Sequence, residues 1–260
     1  MVKDDRSKRI LAILEADKAS TVQELARALD VSHMTIRRDL APLVEGELVK
    51  ILHGSVILHP RNDARAGENY YSLMAAGAQN TERKRRIGEL AATLIEADDS
   101  LIIDAGSTTE CLARALPTDR PYTVLGWSLN VLAETVRRKN CRTVFAGGVF
   151  HDNTLMFESP EGLAMIARFR AAKAFVSAAG VSERFGVTCM NSYERETKTA
   201  AMRSSIRKIL LVDSSKFGVV RSDHFADLSD FDEIVTDGGI AGEYRRIIED
   251  TGIVLRVAVE

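Results

Sequence analysis

From Thr81 onward the chain alternates short apolar runs with amphipathic stretches of helical spacing, and this alternation constrains the fold more than any other feature. The runs at 101–103, 122–125, 143–146, 174–177, 209–212, 233–236 and 253–257 are strand candidates. The stretches at 83–95, 108–116, 129–138, 194–206 and 241–250 are helix candidates. Strands that alternate with helices imply right-handed crossovers and a largely parallel sheet covered on both faces. Residues 81–260 are therefore expected to form an α/β domain. In such folds ligands bind at the carboxyl ends of the strands, near the point where strand order reverses.

Upstream, the spacing is different. Thr21 and Glu24 form a T-x-x-E capping box, and Val22, Leu25, Ala26 and Leu29 make one apolar helix face. Asp30 and Val31 make a tight connection, and Ser32 is a good N-cap for a second helix. On that helix Ile36, Leu40 and Leu43 face inward, which leaves His33, Thr35, Arg37 and Arg38 pointing outward. Arg9, Ile10, Ile13 and Leu14 suit an earlier helix packed behind the pair. Two β-prone runs, 49–52 and 56–58, flank the His53, Gly54, Ser55 turn and read as a hairpin. Helix, turn, helix and hairpin in that order describe a winged helix-turn-helix, which pushes one helix into the DNA major groove. The expected DNA contacts are Ser32, His33, Thr35, Arg37 and Arg38, with Lys50 and His53 reaching the backbone from the wing. Two arginines on a helix are ordinarily just a solvated surface, but here they stand inside the complete ordered pattern.

The domain boundaries follow: 1–58 for the winged helix-turn-helix, 59–80 for a linker and 81–260 for the α/β domain. The linker stretch holds Pro60, Arg61, Asn62, Asp63 and Gly67, and its hydrophobic periodicity lapses. With 45% hydrophobic and 28% charged residues, the chain has ample core material. A formal net charge of −2 means that DNA affinity must come from a local arrangement of Arg and Lys, and that it should depend on salt. Dimerisation would double a modest footprint. No apolar run approaches membrane-spanning length, and the N-terminus lacks the apolar core of a signal peptide. Cys111, Cys141 and Cys189 have no C-x-x-C spacing, which fits a reducing cytoplasm and argues against a disulfide framework or a zinc site. Each is expected to be a small buried hydrophobe.

The strand ends carry the polar residues. Asp104, Gly106, Ser107, Thr108 and Thr109 follow the first strand and open a helix, whose N–H groups and dipole favour an anion such as a phosphate. An ordinary Ser/Thr-capped helix start would look the same. No following lysine completes a P-loop and no G-x-G-x-x-G is present, so neither a nucleotide nor any other cofactor is expected. Ser128 and Asn130 follow the second strand, Gly147 and Gly148 the third, Ser177 to Gly180 the fourth and Asp213 to Gly218 the fifth. Lys216 can supply a cation and Asp104 can accept hydrogen bonds from sugar hydroxyls. Lys84 and Lys198 are further cation candidates, although both lie in charge-rich helices where a solvated face is the commoner reason. Trp127 either lines the pocket or belongs to the core.

Together these motifs resemble the DeoR family of bacterial transcriptional regulators over nearly the whole chain. The N-terminal match is V-x-E-L-A at 22–26, V-S-x-x-T-I-R-R-D-L at 31–40 and H-G at His53 and Gly54. Lys84, D-x-G-[ST]-T at 104–108, Gly147 and Gly148, E-x-K at 196–198, D-S-S-K-F-G at 213–218, and Thr236 with Asp237 follow in family order. The resemblance implies a winged helix-turn-helix joined to a sugar-phosphate-sensing domain that looks like ribose-5-phosphate isomerase. It implies a repressor of a carbohydrate catabolic operon, released from double-stranded operator DNA by a sugar or polyol phosphate and acting as a homodimer or homotetramer. It also implies an effector site that includes Asp104, Gly106, Ser107, Thr108, Asn130, Lys198 and Lys216; Lys84, Thr109, Ser128 and Gly148 complete the expected set. The family often has T-N-[SN]-L where this chain has Gly126, Trp127, Ser128 and Leu129, a departure that points to an atypical effector. The competing reading is an enzyme, a sugar-phosphate isomerase carrying a DNA module. No acid/base pair of defined spacing is visible, and binding a sugar phosphate needs the same groups without chemistry.

Overall fold

The structure, a computed structural model, describes residues 3–17, 19–45, 48–52, 55–58 and 72–259. The chain divides into two compact units, Met1–Ala75 and Ala76–Glu260.

In the first unit, α1 (Lys3–Asp17), β1 (Ala19–Thr21), α2 (Val22–Leu29), α3 (His33–Glu45), β2 (Val49–Leu52) and β3 (Ser55–Leu58) follow in order. Ile10, Leu14, Leu25, Leu29, Ile36 and Leu40 form its core, as the helical spacing dictates. The expected wing is present as an antiparallel pair in which Leu52 faces Ser55. It has a third strand that the sequence did not suggest: β1 pairs with β3, giving the order β1-β3-β2. Arg9 is exposed, while Ile10 and Leu14 of α1 are buried and Ile13, half-buried, packs against the same core.

The stretch taken as a linker contains a helix, α4 (Leu73–Ala78); residues 59–71 of it lie outside the described residues. The second unit then runs α5 (Thr81–Ala92), β4 (Asp99–Ile103), α6 (Ser107–Ala115), β5 (Tyr122–Gly126), α7 (Leu129–Thr135) and β6 (Cys141–Phe145). A hairpin of β7 (Val149–His151) and β8 (Met156–Glu158) leads to α8 (Pro160–Arg168), β9 (Ala171–Ser177), β10 (Gly180–Ser182) and β11 (Gly186–Cys189). The chain closes with α9 (Ser192–Arg203), β12 (Ser205–Leu211), β13 (Asp223–Ala226), β14 (Glu233–Asp237), α10 (Gly242–Asp250) and β15 (Val254–Ala258).

Seven strands form one parallel sheet in the order β15-β14-β12-β9-β4-β5-β6. Side chains alternate across it. Leu101 and Ile103 join Ile87 and Ala91 of α5 and Leu112 of α6 on one face, whereas Ile102 joins Ile166 of α8, Ala201 of α9 and Ile248 of α10 on the other. From β4 the chain first builds outward through β5 and β6, then returns to the other side of β4 with β9 and continues outward from there. The reversal of strand order therefore falls between β4 and β9. β10, β11 and β13 form a separate antiparallel sheet. The helix expected at 194–206 stops at Arg203, and Ile206 already lies in β12. The one expected at 129–138 stops at Thr135. Cys189 is buried as expected, but Cys111 and Cys141 are only half-buried.

Candidate functional site

The candidate DNA-binding face is assembled by three local devices. Thr21 Oγ1 accepts from Glu24 N–H at 3.1 Å while the Glu24 carboxylate accepts from Thr21 N–H at 2.7 Å, which fixes the start of α2. Asp30 ends α2 in the left-handed conformation (φ 53°), a region its short polar side chain tolerates, and so makes the turn. Ser32 Oγ then accepts from Thr35 N–H at 3.2 Å and starts α3.

On α3, Ile36, Leu40 and Leu43 are buried, while Ser32, His33, Arg37 and Arg38 are exposed. Thr35 is half-buried, and its hydroxyl is shared with Ser32. Neither Arg37 nor Arg38 makes an ion pair among the described residues, so both guanidinium groups face solvent with their donors available. A groove of about 770 Å³ runs between the start of α2, the outer face of α3 and β2, lined by Gln23, His33, Arg37, Ala41, Val44 and Ile51 among others. Lys50 is placed on β2 by its backbone, and His53 lies outside the described residues.

The acid of the T-I-R-R-D-L motif has a role the sequence reading missed. Asp39 is fully buried and takes a two-pronged contact from Arg6 of α1, Nε at 2.7 Å and Nη2 at 3.2 Å, which ties α1 to α3. The partners stand 33 positions apart, beyond the reach of any local pattern.

In the second unit the polar groups converge where strand order reverses. Asp104, just past β4, is buried, and its Oδ2 accepts from Ser177 N–H at 3.0 Å and Ser177 Oγ at 3.1 Å at the end of β9. The Lys198 ammonium also contacts Oδ2, and it donates to the Ser177 carbonyl at 3.0 Å. Both Lys198 and Lys84 are 2% exposed, so neither belongs to a solvated face. Burial acts to lower the Lys198 pKa, but Asp104 and Glu194 outweigh it and hold the amine above the ordinary lysine value. Its charge is spent on orienting Asp104, which is a different task from the direct anion contact expected of it.

Gly106 caps α6 because nothing larger fits: a Cβ there would sit 2.4 Å from Ser177 Oγ. Ser107, Thr108 and Thr109 occupy the first helical turn and are buried. The Thr109 hydroxyl donates back to Gly106 O at 3.0 Å, so as a donor this residue can offer only its N–H. The Ser107 and Thr108 hydroxyls make no hydrogen bond among the described residues. Asn130 donates from Nδ2 to Gly106 O at 3.3 Å and to the Glu110 carboxylate at 3.0 Å, which fixes its amide so that Oδ1 remains an acceptor.

Lys84 donates from Nζ to the Ala76 carbonyl at 2.5 Å. Its amine is held below the ordinary lysine value, first by burial, with Asp213 opposing and Lys216 reinforcing the shift. Asp213 Oδ1 accepts from Asn80 Nδ2 at 3.1 Å and from Ser215 N–H at 3.1 Å. Lys216 ends the short 3-10 turn Ser214–Lys216, is half-buried and makes no ion pair among the described residues. Gly148 is explained by packing instead: at φ 151° its backbone lies where a Cβ would meet the Glu158 carbonyl at 2.1 Å. Trp127 is fully buried in the core.

Asp104 Oδ1, Ser128 Oγ, Asn130 Oδ1 and Asp213 Oδ2 are buried polar atoms with no partner among the described residues; Trp127 Nε1 and Thr236 Oγ1 join them, and Arg138 Nε, beyond α7, is a further one away from these strand ends. Buried polar atoms are nearly always bonded, so a concentration of exceptions at one end of a sheet needs an explanation. Most of them are acceptors, which suits a ligand rich in hydroxyl groups. The free helix start and Lys216 suit an anion. Of the residues in this arrangement, Ser177, Glu110 and Asn80 had been given no role; Ser177 alone was marked beforehand, by its position at a strand end. Among the described residues no group of His, Cys, Asp or Glu is placed to hold a metal ion, and no helix is long and apolar enough to cross a membrane.

Comparison with known proteins covers both units. Residues 6–61 match the DeoR-like helix-turn-helix domain, and residues 79–238 match the DeoR C terminal sensor domain. The chain is 35% identical over 246 residues to the deoxyribose operon repressor of Escherichia coli (strain K12), covering 93% of each. It is 30% identical over 254 residues to the HTH-type transcriptional regulator GolR of Listeria innocua, covering 98% of each. A ribose 5-phosphate isomerase A from Methanocaldococcus jannaschii aligns with 54% of this chain and 55% of its own, at 14% identity and a TM-score of 0.41.

Proposed function

The chain belongs to the DeoR family of transcriptional regulators, and on that premise we propose that it represses a carbohydrate catabolic operon until a sugar or polyol phosphate releases it. Residues 1–58 bind double-stranded operator DNA in the cytoplasm, 59–80 connect, and 81–260 sense the effector. The observation that carries the sensing half is the cluster of unpartnered buried acceptors beside the free start of α6 and Lys216. Hydroxyl groups of the effector donate to Asp104, Asn130 and Asp213, while its phosphate takes the N–H groups of Ser107 and Thr108 and the Lys216 ammonium. The N-terminal half of α3 supplies the base and phosphate contacts through His33, Arg37 and Arg38.

Release requires an effector that binds the DNA-competent and DNA-incompetent states with different affinity, and several kcal/mol of coupling are needed to move most of the population. The homodimer or homotetramer presents two recognition helices to a palindromic or repeated operator. Because one relative is a deoxyribose operon repressor, 2-deoxyribose 5-phosphate heads the panel of compounds to try.

The experiment is binding to the DNA upstream of its own gene, with and without that panel. Specific, salt-sensitive binding released by one compound supports the reading. Specific binding that nothing releases removes the sensing half. Turnover of pentose or hexose phosphates by the purified protein would replace the regulator with the isomerase alternative.

A further inference from the structure

The Lys84 amine is occupied from one side by the segment that precedes it. α4 turns its Ala76 carbonyl onto Nζ at 2.5 Å, and Gly77 stands so close to the start of α6 that a Cβ built on it would lie 3.9 Å from Ser107 Cβ. This segment therefore touches both the buried cation next to Lys216 and the helix N-terminus assigned to the phosphate.

Its downstream end is fastened. Thr81 Oγ1 donates to Gly77 O at 3.1 Å, Asn80 adopts a left-handed conformation (φ 53°) and bonds to Asp213 and Ser215, and Arg83 donates to Ser214 Oγ at 3.2 Å. In sequence, residues 59–72 join it to the winged-helix unit. At six residues α4 is far too short to be stable as an isolated helix, so its order depends on these contacts.

We propose that α4 is a strap over the anion site, and that an arriving phosphate competes with the Ala76 carbonyl for the Lys84 ammonium and frees the strap. A phosphate oxygen is the stronger partner for an ammonium, because a bond between two charged groups exceeds one to a neutral carbonyl. Freeing six helical residues hinged at Gln79 and Asn80 lengthens the tether to the DNA-binding unit by up to about 11 Å, the difference between 1.5 and about 3.3 Å per residue. Order-to-disorder release of a segment is an established form of switch. This inference rests on the anion site of the proposed function and adds the step that carries occupancy to the linker.

The test is hydrogen exchange of residues 73–79 in the full wild-type chain, with 2-deoxyribose 5-phosphate, glycerol 3-phosphate and inorganic phosphate as probes at matched ionic strength. Exchange should rise by roughly fivefold or more with a bound probe, the low end of allosteric coupling. A second measurement uses Thr81→Val, which removes the bond from Thr81 Oγ1 to Gly77 O without touching the anion site. Exchange at 73–79 should already be raised before a probe is added, and DNA should be released at a lower probe concentration. Release at the wild-type concentration despite raised exchange would overturn the strap. A probe that frees 73–79 but never releases DNA leaves the strap standing and removes the sensor-repressor reading. A probe that releases DNA with exchange at 73–79 unchanged or slowed overturns the strap alone. If the probes produce neither effect, both fall.

Discussion

At the scale of single residues the two halves of the mechanism separate cleanly. Arg37 is exposed and unpaired on the outer face of α3, so Arg37→Ala should weaken operator binding by about 1–3 kcal/mol while effector binding is unchanged. Operator titrations of equal affinity for variant and wild type would remove Arg37 from the interface. Lys216→Ala is the converse: effector response should be lost with operator binding preserved, and normal release of DNA would show that the anion sits elsewhere. Lys198 calls for a stability measurement. Lys198→Met leaves the Asp104 carboxylate buried without its counter-charge and should cost about 3–5 kcal/mol; adding Asp104→Asn should restore much of that, since the partners act as one unit. Additive losses in urea denaturation would contradict the coupling. These residues also mark the limit of what the sequence discloses. The strand-end positions of Asp104, Asn130 and Lys216 follow from the apolar runs before them, so their candidacy was legible. The burial of Lys84 and Lys198 was not, because a lysine in a charge-rich helix looks solvated until its surroundings are in place; the Lys198 partner Asp104 is 94 positions away.

At the scale of elements, legibility follows burial. The inner strands β4, β5, β9 and β14 are largely buried and therefore read as apolar runs, the edge strands β6 and β15 are mostly half-buried, and the errors fall at strand ends. The short strands β1, β7, β8, β10, β11 and β13 have too few positions to show a period and are defined by tertiary pairing, whereas β2 and β3, equally short, were legible through the turn between them. The close approach of α5 and α6 was equally invisible in the sequence. A Cβ on Gly88 would lie 2.5 Å from the Cys111 carbonyl carbon and 2.6 Å from Leu112 N, both backbone atoms that no side-chain rotation can move. Gly88→Ala gains about 1 kcal/mol of helix propensity, but it must push α6 away, and overpacking of this kind costs about 1–3 kcal/mol. A lower urea midpoint is therefore expected. Because the start of α6 carries Ser107 and Thr108, effector affinity should fall with it, whereas a stabilised variant with intact effector binding would show that the helices can separate freely.

At the scale of the molecule, charge argues for assembly. The chain carries −2 overall, and residues 1–58 contain nine Lys and Arg against nine Asp and Glu, a difference of zero. A single DNA-binding unit therefore has no general attraction for a polyanion and must rely on a few placed cations, of which Arg37 and Arg38 are unpaired among the described residues. Each phosphate neutralised contributes about −0.9 to the slope of log K against log salt concentration. One unit should accordingly give a shallow slope and weak binding, and two units on half-sites about one helical turn apart should give roughly twice the slope and far higher affinity. The measurement is a salt titration on a full operator and on an isolated half-site, repeated over a wide range of protein concentration. Equal slopes on the two DNAs would mean that one unit carries the binding alone. Doubling on the full operator, lost on dilution, would mean that two DNA-binding units act together on the two half-sites.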